Sequence, residues 1–344
     1  MRVGYVYDPI YLKHDTGNHP ENANRVAAIM RYLERTGSWQ QINLLKPRLA
    51  TMEEISLVHT KQYISEVEAL ASRGGGQLDL DTIVSPDSYN VALYAAGGTI
   101  QAVDAVINGS LNSAFALVRP PGHHASTGRG MGFCLFNNVA IAVAYILHKY
   151  KLERIVIVDF DVHHGNGTQD VFYSNPRVLY ISTHQTHHYP GTGSVDQIGE
   201  GEARGTTINI PLPSGCGDEE YNQVFGQIII PAIRCFGPKI IVVSAGYDGH
   251  WSDGLAGMHL SIAGFVQMTR IIKQLADELC DGRLVFSLEG GYNLTALSAS
   301  VGATFEVLLG KEDIEDKLGQ LSLEDKAPNI TGLMQLIKGI HCIH

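Results

Sequence analysis

Short runs of β-branched and aromatic residues recur along the chain. They are separated by longer stretches in which apolar residues return every three or four positions. Seven runs read as strands: Val3–Tyr7, Ala114–Val118, Ile155–Phe160, Val178–Thr183, Thr206–Leu212, Ile240–Ser244 and Leu284–Leu288. Several are continuously apolar rather than alternating, the pattern of strands buried on both faces. Helical patterns lie between them, most clearly at Glu21–Arg35, Lys61–Ser72, Ser85–Asn108, Asn137–His148, Glu219–Arg234, Ser261–Leu279 and Leu294–Leu309. Ser85-Pro86-Asp87 and Ser261 stand where helices start, with Pro86 tolerated in a first turn. Strands alternate with helices, which predicts an α/β fold with a mainly parallel central sheet flanked by helices. Lys311–Asp325 is charge-rich, and Ile330–Ile340 reads as a final amphipathic helix. Gly74-Gly75-Gly76 is only a short break between helix and loop. The expectation is a single domain over 1–344, with 311–344 as a tail and helix packed on it.

Four polar clusters follow four of the strands. Arg119-Pro120-Pro121-Gly122-His123-His124 follows Ala114–Val118, and Asp159-Phe160-Asp161-Val162-His163-His164-Gly165-Asn166-Gly167 ends the run Ile155–Phe160. Ala245-Gly246-Tyr247-Asp248 ends Ile240–Ser244, and Glu289-Gly290-Gly291-Tyr292 ends Leu284–Leu288. In open α/β sheets ligands bind beyond the carboxyl ends of strands, so clusters distant in sequence can converge there.

Asp159, Asp161 and His163 are spaced by two and share a face in extended chain. Three ionisable groups at the end of a buried strand are unstable without a counter-charge, which a bound cation supplies. Asp161 and His163 offer an oxygen and a nitrogen, suited to zinc or ferrous iron, and Asp248 stands at the right strand end for a third ligand. Three protein ligands leave a position for water and substrate. One Asp-x-His alone would more often be a core ion pair or a cap. His123-His124 has two partners within the same cluster, Asp159 for one ring and Asn166 for the other. A carboxylate stabilises imidazolium whereas an amide only orients a ring, so the pair can divide acid and base roles. Tyr292 follows two glycines that permit a tight turn, and its hydroxyl can donate to a developing oxyanion.

Composition narrows the setting. Apolar residues make up 44% of the 344 and charged residues 17%, which excludes a disordered chain. Lys and Arg number 25 against 35 Asp and Glu, a net charge of −10, which argues against a nucleic-acid partner and suits a cationic substrate. Five cysteines without paired spacing form neither a disulfide framework nor a zinc knuckle, and fit a reducing, cytoplasmic location. The segment Met1–Tyr5 has no signal-peptide pattern, and no uncharged apolar run suits a membrane span. Fifteen histidines against five cysteines fit an Asp/His/Asp metal site that needs no thiolate.

The segments RPPGHHA, MGFCLFNN, VDFDVHHGNGTQ, YPGTG, INIPLP, SAGYD and LEGGYNL together resemble the histone deacetylase and acetylpolyamine amidohydrolase family, in its class II-like and bacterial branch. The likeness runs in order from His19-Pro20-Glu21 to Tyr292. It implies an arginase/deacetylase-like fold and a zinc-dependent amidohydrolase acting on N-acetylated amines. Carried over by motif, Asp161, His163 and Asp248 resemble the zinc ligands, and His123 and His124 the tandem proton-handling histidines. Asp159 and Asn166 resemble their partners, with Asn where class I members have Asp. Tyr292 resembles the transition-state tyrosine. Gly132, Phe133, Tyr189 and Gly291 match positions lining an acyl-lysine channel. Asp159, Asp161, His163, Ser182 and Thr183 match a potassium site beside the zinc, partly through backbone oxygens.

The resemblance implies as substrate either an acylated lysine in a protein or peptide, or a small acylated amine. Leu255 stands where polyamine-specific relatives carry a glutamate, so it favours an apolar lysine stem. Asp81 and Thr82 fall where relatives grip the substrate backbone. His187 and His188 read as surface residues, and His250 and Trp251 as part of a pocket wall or an oligomer contact. Three alternatives stay open: an acetylpolyamine deacetylase, an inactive acyl-lysine binder, and a binuclear ureohydrolase needing further Asp and His ligands. A homo-oligomer is compatible with all of them.

Overall fold

Eight strands form one sheet in which every neighbouring pair runs parallel. In chain order they are β1 (Val3–Val6), β2 (Asn43–Leu45), β3 (Ser113–Ala116), β4 (Ile155–Asp159), β5 (Val178–Gln185), β6 (Thr207–Leu212), β7 (Ile240–Ala245) and β8 (Leu284–Leu288). The computed structural model describes residues 2–321 and 327–343; residues 322–326 of the expected charge-rich stretch lie outside the described residues. Across the sheet the order is β2-β1-β3-β8-β7-β4-β5-β6. The chain passes from β3 to β4 over a gap that β7 and β8 later fill. The central strands β3, β8, β7 and β4 are therefore neighbours, and they are the four whose carboxyl ends carry the polar clusters.

The continuous apolar runs are explained by burial. Every residue of β3, β4, β7 and β8 is buried, because helices cover the sheet. Helix Leu294–Leu308 packs on both Asn24–Thr36 and Ile262–Leu279, and Ser88–Ile107 packs on Asn138–Tyr145. β2 escapes the sequence pattern because it is a three-residue edge strand with Asn43 and Leu44 exposed.

Four helix boundaries differ from expectation: the helix expected from Glu21 begins at Asn24, and the one expected over Asn137–His148 passes into a π turn at Ile146–Tyr150. Ser85 precedes the helix rather than starting it: its amide donates to the Ser88 hydroxyl at 2.7 Å, and the helix begins at Ser88. The pattern at 219–234 becomes two helices, Asp218–Val224 and Ile230–Phe236, joined by a wide π turn over Phe225–Ile229. Pro231 lies just beyond that turn, and its missing amide hydrogen leaves the helical ladder incomplete there. Ser261 caps Ile262–Leu279 as expected, accepting from Gly264 N at 3.3 Å. The final helix runs Thr331–His341. Among the described residues no helix is long and apolar enough to cross a membrane.

Candidate functional site

The loops leaving β3, β8, β7 and β4 meet. Asp161 and His163 lie in the turn after β4, and Asp248 lies in the turn after β7. One ligand atom of each falls within 4.8 Å of the others, and all three residues are buried. His163 Nδ1 is 3.1 Å from both Asp161 Oδ1 and Asp248 Oδ2. The second carboxylate oxygens are tied back to the scaffold: Gly290 N donates to Asp161 Oδ2 at 2.7 Å, and Val162 N to Asp248 Oδ1 at 3.1 Å. Such outer hydrogen bonds orient metal ligands. Position 290 must be glycine, because a Cβ there would lie 2.1 Å from Asp248 Oδ2 and 2.5 Å from Asp161 Oδ2.

The electrostatics of the three groups call for a cation. Burial, then the Asp161 charge, push Asp248 up to about 6. Burial alone would raise Asp161 too, but His123 and His163 outweigh it and hold it well below the carboxylate range. Burial would lower His163, yet its hydrogen bonds to Asp161 and Asp248 raise it to about 10. A proton on His163 thus balances two buried carboxylates, and a divalent cation can take its place with two oxygens and one nitrogen as donors. The set fits zinc or a similar borderline metal, and among the described residues no other His, Cys, Asp or Glu group is so arranged.

The tandem histidines stand beside this triad with ring centroids 4.0 Å apart. His123 Nδ1 is 3.1 Å from Asp159 Oδ2, and His124 Nδ1 is 2.9 Å from Asn166 Oδ1. Burial lowers both, but at His123 the charges of Asp161 and Asp159 outweigh it and raise the ring to about 10. At His124 burial prevails, and the positive His123 and His163 press it further down, well below 6.5. The two rings are therefore pushed in opposite directions, His123 toward imidazolium and His124 toward the neutral form. Asp159 also accepts from the Tyr180 hydroxyl at 3.1 Å.

Glu289 holds this loop in place. Its Oε2 accepts from Gly122 N at 2.7 Å and His123 N at 3.2 Å, and Ser244 Oγ donates to its Oε1 at 3.3 Å. Burial pushes it up to about 7. The sequence placed Glu289 in a cluster without a role; its signal was a carboxylate ending a strand that is otherwise wholly apolar or small.

Tyr292 is partly exposed, with the Arg25 guanidinium 5.0 Å from its ring centre and the Phe133 ring edge-on at 5.8 Å. Burial, then Asp248, raise its hydroxyl well above 10, so it stays a donor. Arg25 Nε donates to Gly291 O at 2.7 Å and its Nη2 to Glu289 O, fixing the turn before Tyr292. Gly291 is buried at φ +117°, in the left-handed region that favours glycine. Arg25 pairs with Glu21 at 3.1 Å, and Glu21 binds Arg119 through both oxygens at 2.7 and 2.8 Å. Sequence reasoning assigned no role to this buried trio.

The remaining expected residues form the surround. Gly132 and Phe133 sit side by side at φ +56° and +69°, and Phe133 meets the His19 ring edge-on at 4.4 Å. Tyr189 stands edge-on to His124 at 5.1 Å, its hydroxyl buried without a partner. Leu255 is half-buried, and its carbonyl pairs with His188 Nε2 at 2.8 Å. Ser182 pairs in register with Asp159 and contacts His184 Nδ1 at 2.9 Å, while the Thr183 hydroxyl is buried without a partner.

Two expectations are corrected, and a third pair gains a contact. His187 is exposed, but His188 is half-buried and stacks on the His163 ring at 5.0 Å, because its bond to Leu255 turns it inward. Thr82 is fully buried and its hydroxyl accepts from Phe133 N at 3.1 Å, so it supports the wall rather than facing a substrate. Trp251 is half-buried and donates to Gly319 O at 2.9 Å, which ties its loop to the tail, and His250 beside it is buried.

The loops described above fall almost wholly within a known domain: residues 19–308 match the profile described as the histone deacetylase domain. A probable deacetylase of Archaeoglobus fulgidus is 45% identical over 297 residues, spanning 86% of this chain and 82% of that protein. The chloroplastic histone deacetylase 14 of Arabidopsis thaliana is 42% identical over 352 residues, spanning 96% and 83%. The crystal structure of the HDA15 HD domain matches with a TM-score of 0.89 at 34% identity, covering 99% of this chain and 94% of that one. At that likeness the eight-stranded parallel sheet flanked by helices is the arginase-like α/β fold of the family. With fold, span and identity in agreement, the chain belongs to the histone deacetylase family, whose members are hydrolases of the deacetylase type.

Proposed function

We propose that the protein is a zinc-dependent amidohydrolase that removes acetyl or related acyl groups from lysine side chains of proteins or peptides. One observation carries the reading: a buried Asp/His/Asp triad, two histidines of opposite charge preference and a tyrosine hydroxyl converge at adjacent strand ends. Asp161, His163 and Asp248 would hold the zinc. When bound, zinc acts as a Lewis acid that acidifies water and polarises the scissile carbonyl. His124, neutral and tied through Nδ1 to Asn166, accepts the proton of the attacking water at Nε2 and returns it to the leaving amine nitrogen. His123 stays imidazolium against Asp159 and contributes positive charge. Tyr292 donates its hydroxyl to the oxygen that gains charge in the transition state. Potassium would be held by Asp159, Asp161, His163, Ser182 and Thr183, partly through backbone oxygens, and would offset the buried carboxylates; the Thr183 hydroxyl, without a partner among the described residues, supports it.

Phe133 and Tyr189, with Gly132 and Gly291, wall the acyl-lysine channel, and Leu255 gives its rim an apolar contact for a lysine stem. A second reading, a small acetylated polyamine as substrate, is favoured by Asp81 beside Asp79 near His19 and Tyr189. Five cysteines, none paired, support a reducing location such as the cytoplasm. The test is a turnover screen of acetyl- and longer acyl-lysine peptides against acetylspermidines, using metal-free, zinc-loaded and chelated protein. Zinc-dependent acetate release, faster from the peptide, is expected. Faster release from acetylspermidine would favour the polyamine reading. Intact amides throughout, with zinc retained, would refute hydrolysis.

A further inference from the structure

Asp253 lies in the rim loop between Trp251 and Leu255, and its side chain is only 5% exposed. Among the described residues it takes part in no ion pair. Its charge is met instead by backbone amides: Oδ2 accepts from Tyr292 N at 2.6 Å and Asn293 N at 2.9 Å, and Oδ1 from Leu255 N at 3.2 Å. A buried carboxylate without a counter-ion is unfavourable unless such donors satisfy it. Two of the three donors belong to Tyr292 and its successor. The link is doubled by Asn293 Nδ2, which donates to Ser252 O at 2.9 Å while its Oδ1 caps the helix Leu294–Leu308. The same rim loop reaches the metal side, where the Leu255 carbonyl holds the His188 ring stacked on His163.

We propose that Asp253 is a positioning residue that clamps the Tyr292 backbone to the substrate rim, so that placement of the Tyr292 hydroxyl, and hence kcat, depends on it. The inference rests on the reading of Tyr292 as oxyanion donor. It differs from a loop staple in one respect: its effect on turnover must pass through Tyr292.

A double-mutant cycle reads that dependence. In zinc-loaded protein D253N, whose amide cannot accept from all three donors, lowers kcat about tenfold or more with KM and zinc content near those of the parent. In a Y292F background the same substitution costs less than about twofold. An equal loss of kcat in both backgrounds would overturn the proposal. Amide hydrogen exchange gives a readout independent of activity. The Tyr292 and Asn293 amides are expected to exchange slowly in the wild type and faster in D253N; free exchange in the wild type overturns the clamp, even if D253N fails to fold. Should the zinc-loaded wild type hydrolyse no acylated substrate, the parent reading falls while exchange still decides the clamp.

Discussion

Tyr292 is the residue at which binding and turnover separate most cleanly. Its ring packs against Phe133 and Arg25, and its hydroxyl is the group proposed to act as donor. Phenylalanine keeps the ring and removes the donor. Losing one oxyanion donor raises the barrier by about 2.7–4 kcal/mol, roughly 10²–10³ in kcat. Y292F is therefore expected to bind one zinc per chain and melt as the parent does, while kcat falls by that factor; unchanged turnover would remove Tyr292 from the mechanism. The residues proposed to carry the chemistry are legible in the sequence because each stands just beyond a strand end. Arg25, Glu289, Asp253 and His188 were not. Their work consists of hydrogen bonds to the backbone of remote segments, or of stacking on a ligand from another loop. No local spacing records such pairings; Arg25 and Gly291, for example, are 266 positions apart.

At the scale of elements, one buried charge joins the approach to helix Asn24–Thr36, the loop after β3 and the turn after β8. Burial would raise the Glu21 carboxyl, but the guanidiniums of Arg119 and Arg25 outweigh it and hold it well below its ordinary range near 4.5. A carboxyl depressed in the folded state contributes stability that is present above its unfolded pKa and is lost as pH falls toward the folded one. Glutamine at 21 would leave two buried arginines without their counter-charge, a loss of about 3–5 kcal/mol. Urea unfolding from pH 7 down to pH 3 should show E21Q less stable at neutral pH and flatter on its acid limb. Equal midpoints at neutral pH would mean that the ion network contributes no net stability. The strands themselves were readable because burial on both faces writes a continuous apolar run. β2, at the sheet edge, was not, and the π turn at Phe225–Ile229 left no mark because its residues keep the helical apolar spacing.

For the whole molecule, the open matter is whether residues beyond 310 belong to the same folding unit, and we infer that they do. Trp251 holds Gly319 O, Asp316 accepts from Ala263 N at 3.1 Å, and Gln320 Nε2 donates to Asp218 Oδ2 at 2.9 Å. Ile330, Met334 and Ile337 are buried, with the final helix lying along β6 and the π turn. Removing the chain after Gly310 uncovers their contact surface, and at about 1.5–3 kcal/mol per buried apolar side chain the loss is on the order of 5 kcal/mol or more. The truncated protein should melt roughly 7 °C or more below the full chain, still in a single transition. It should also lose turnover, because Trp251 would no longer hold the rim loop that carries Asp253 and Leu255. W251F separates the two effects: it removes the indole N–H that bonds Gly319 O but leaves an aromatic ring, a loss of about 0.5–1.5 kcal/mol for the hydrogen bond beside the packing lost with the smaller side chain. A truncated protein with the parent's melting temperature would instead make the tail a separate appendage, and the single-domain inference would fail.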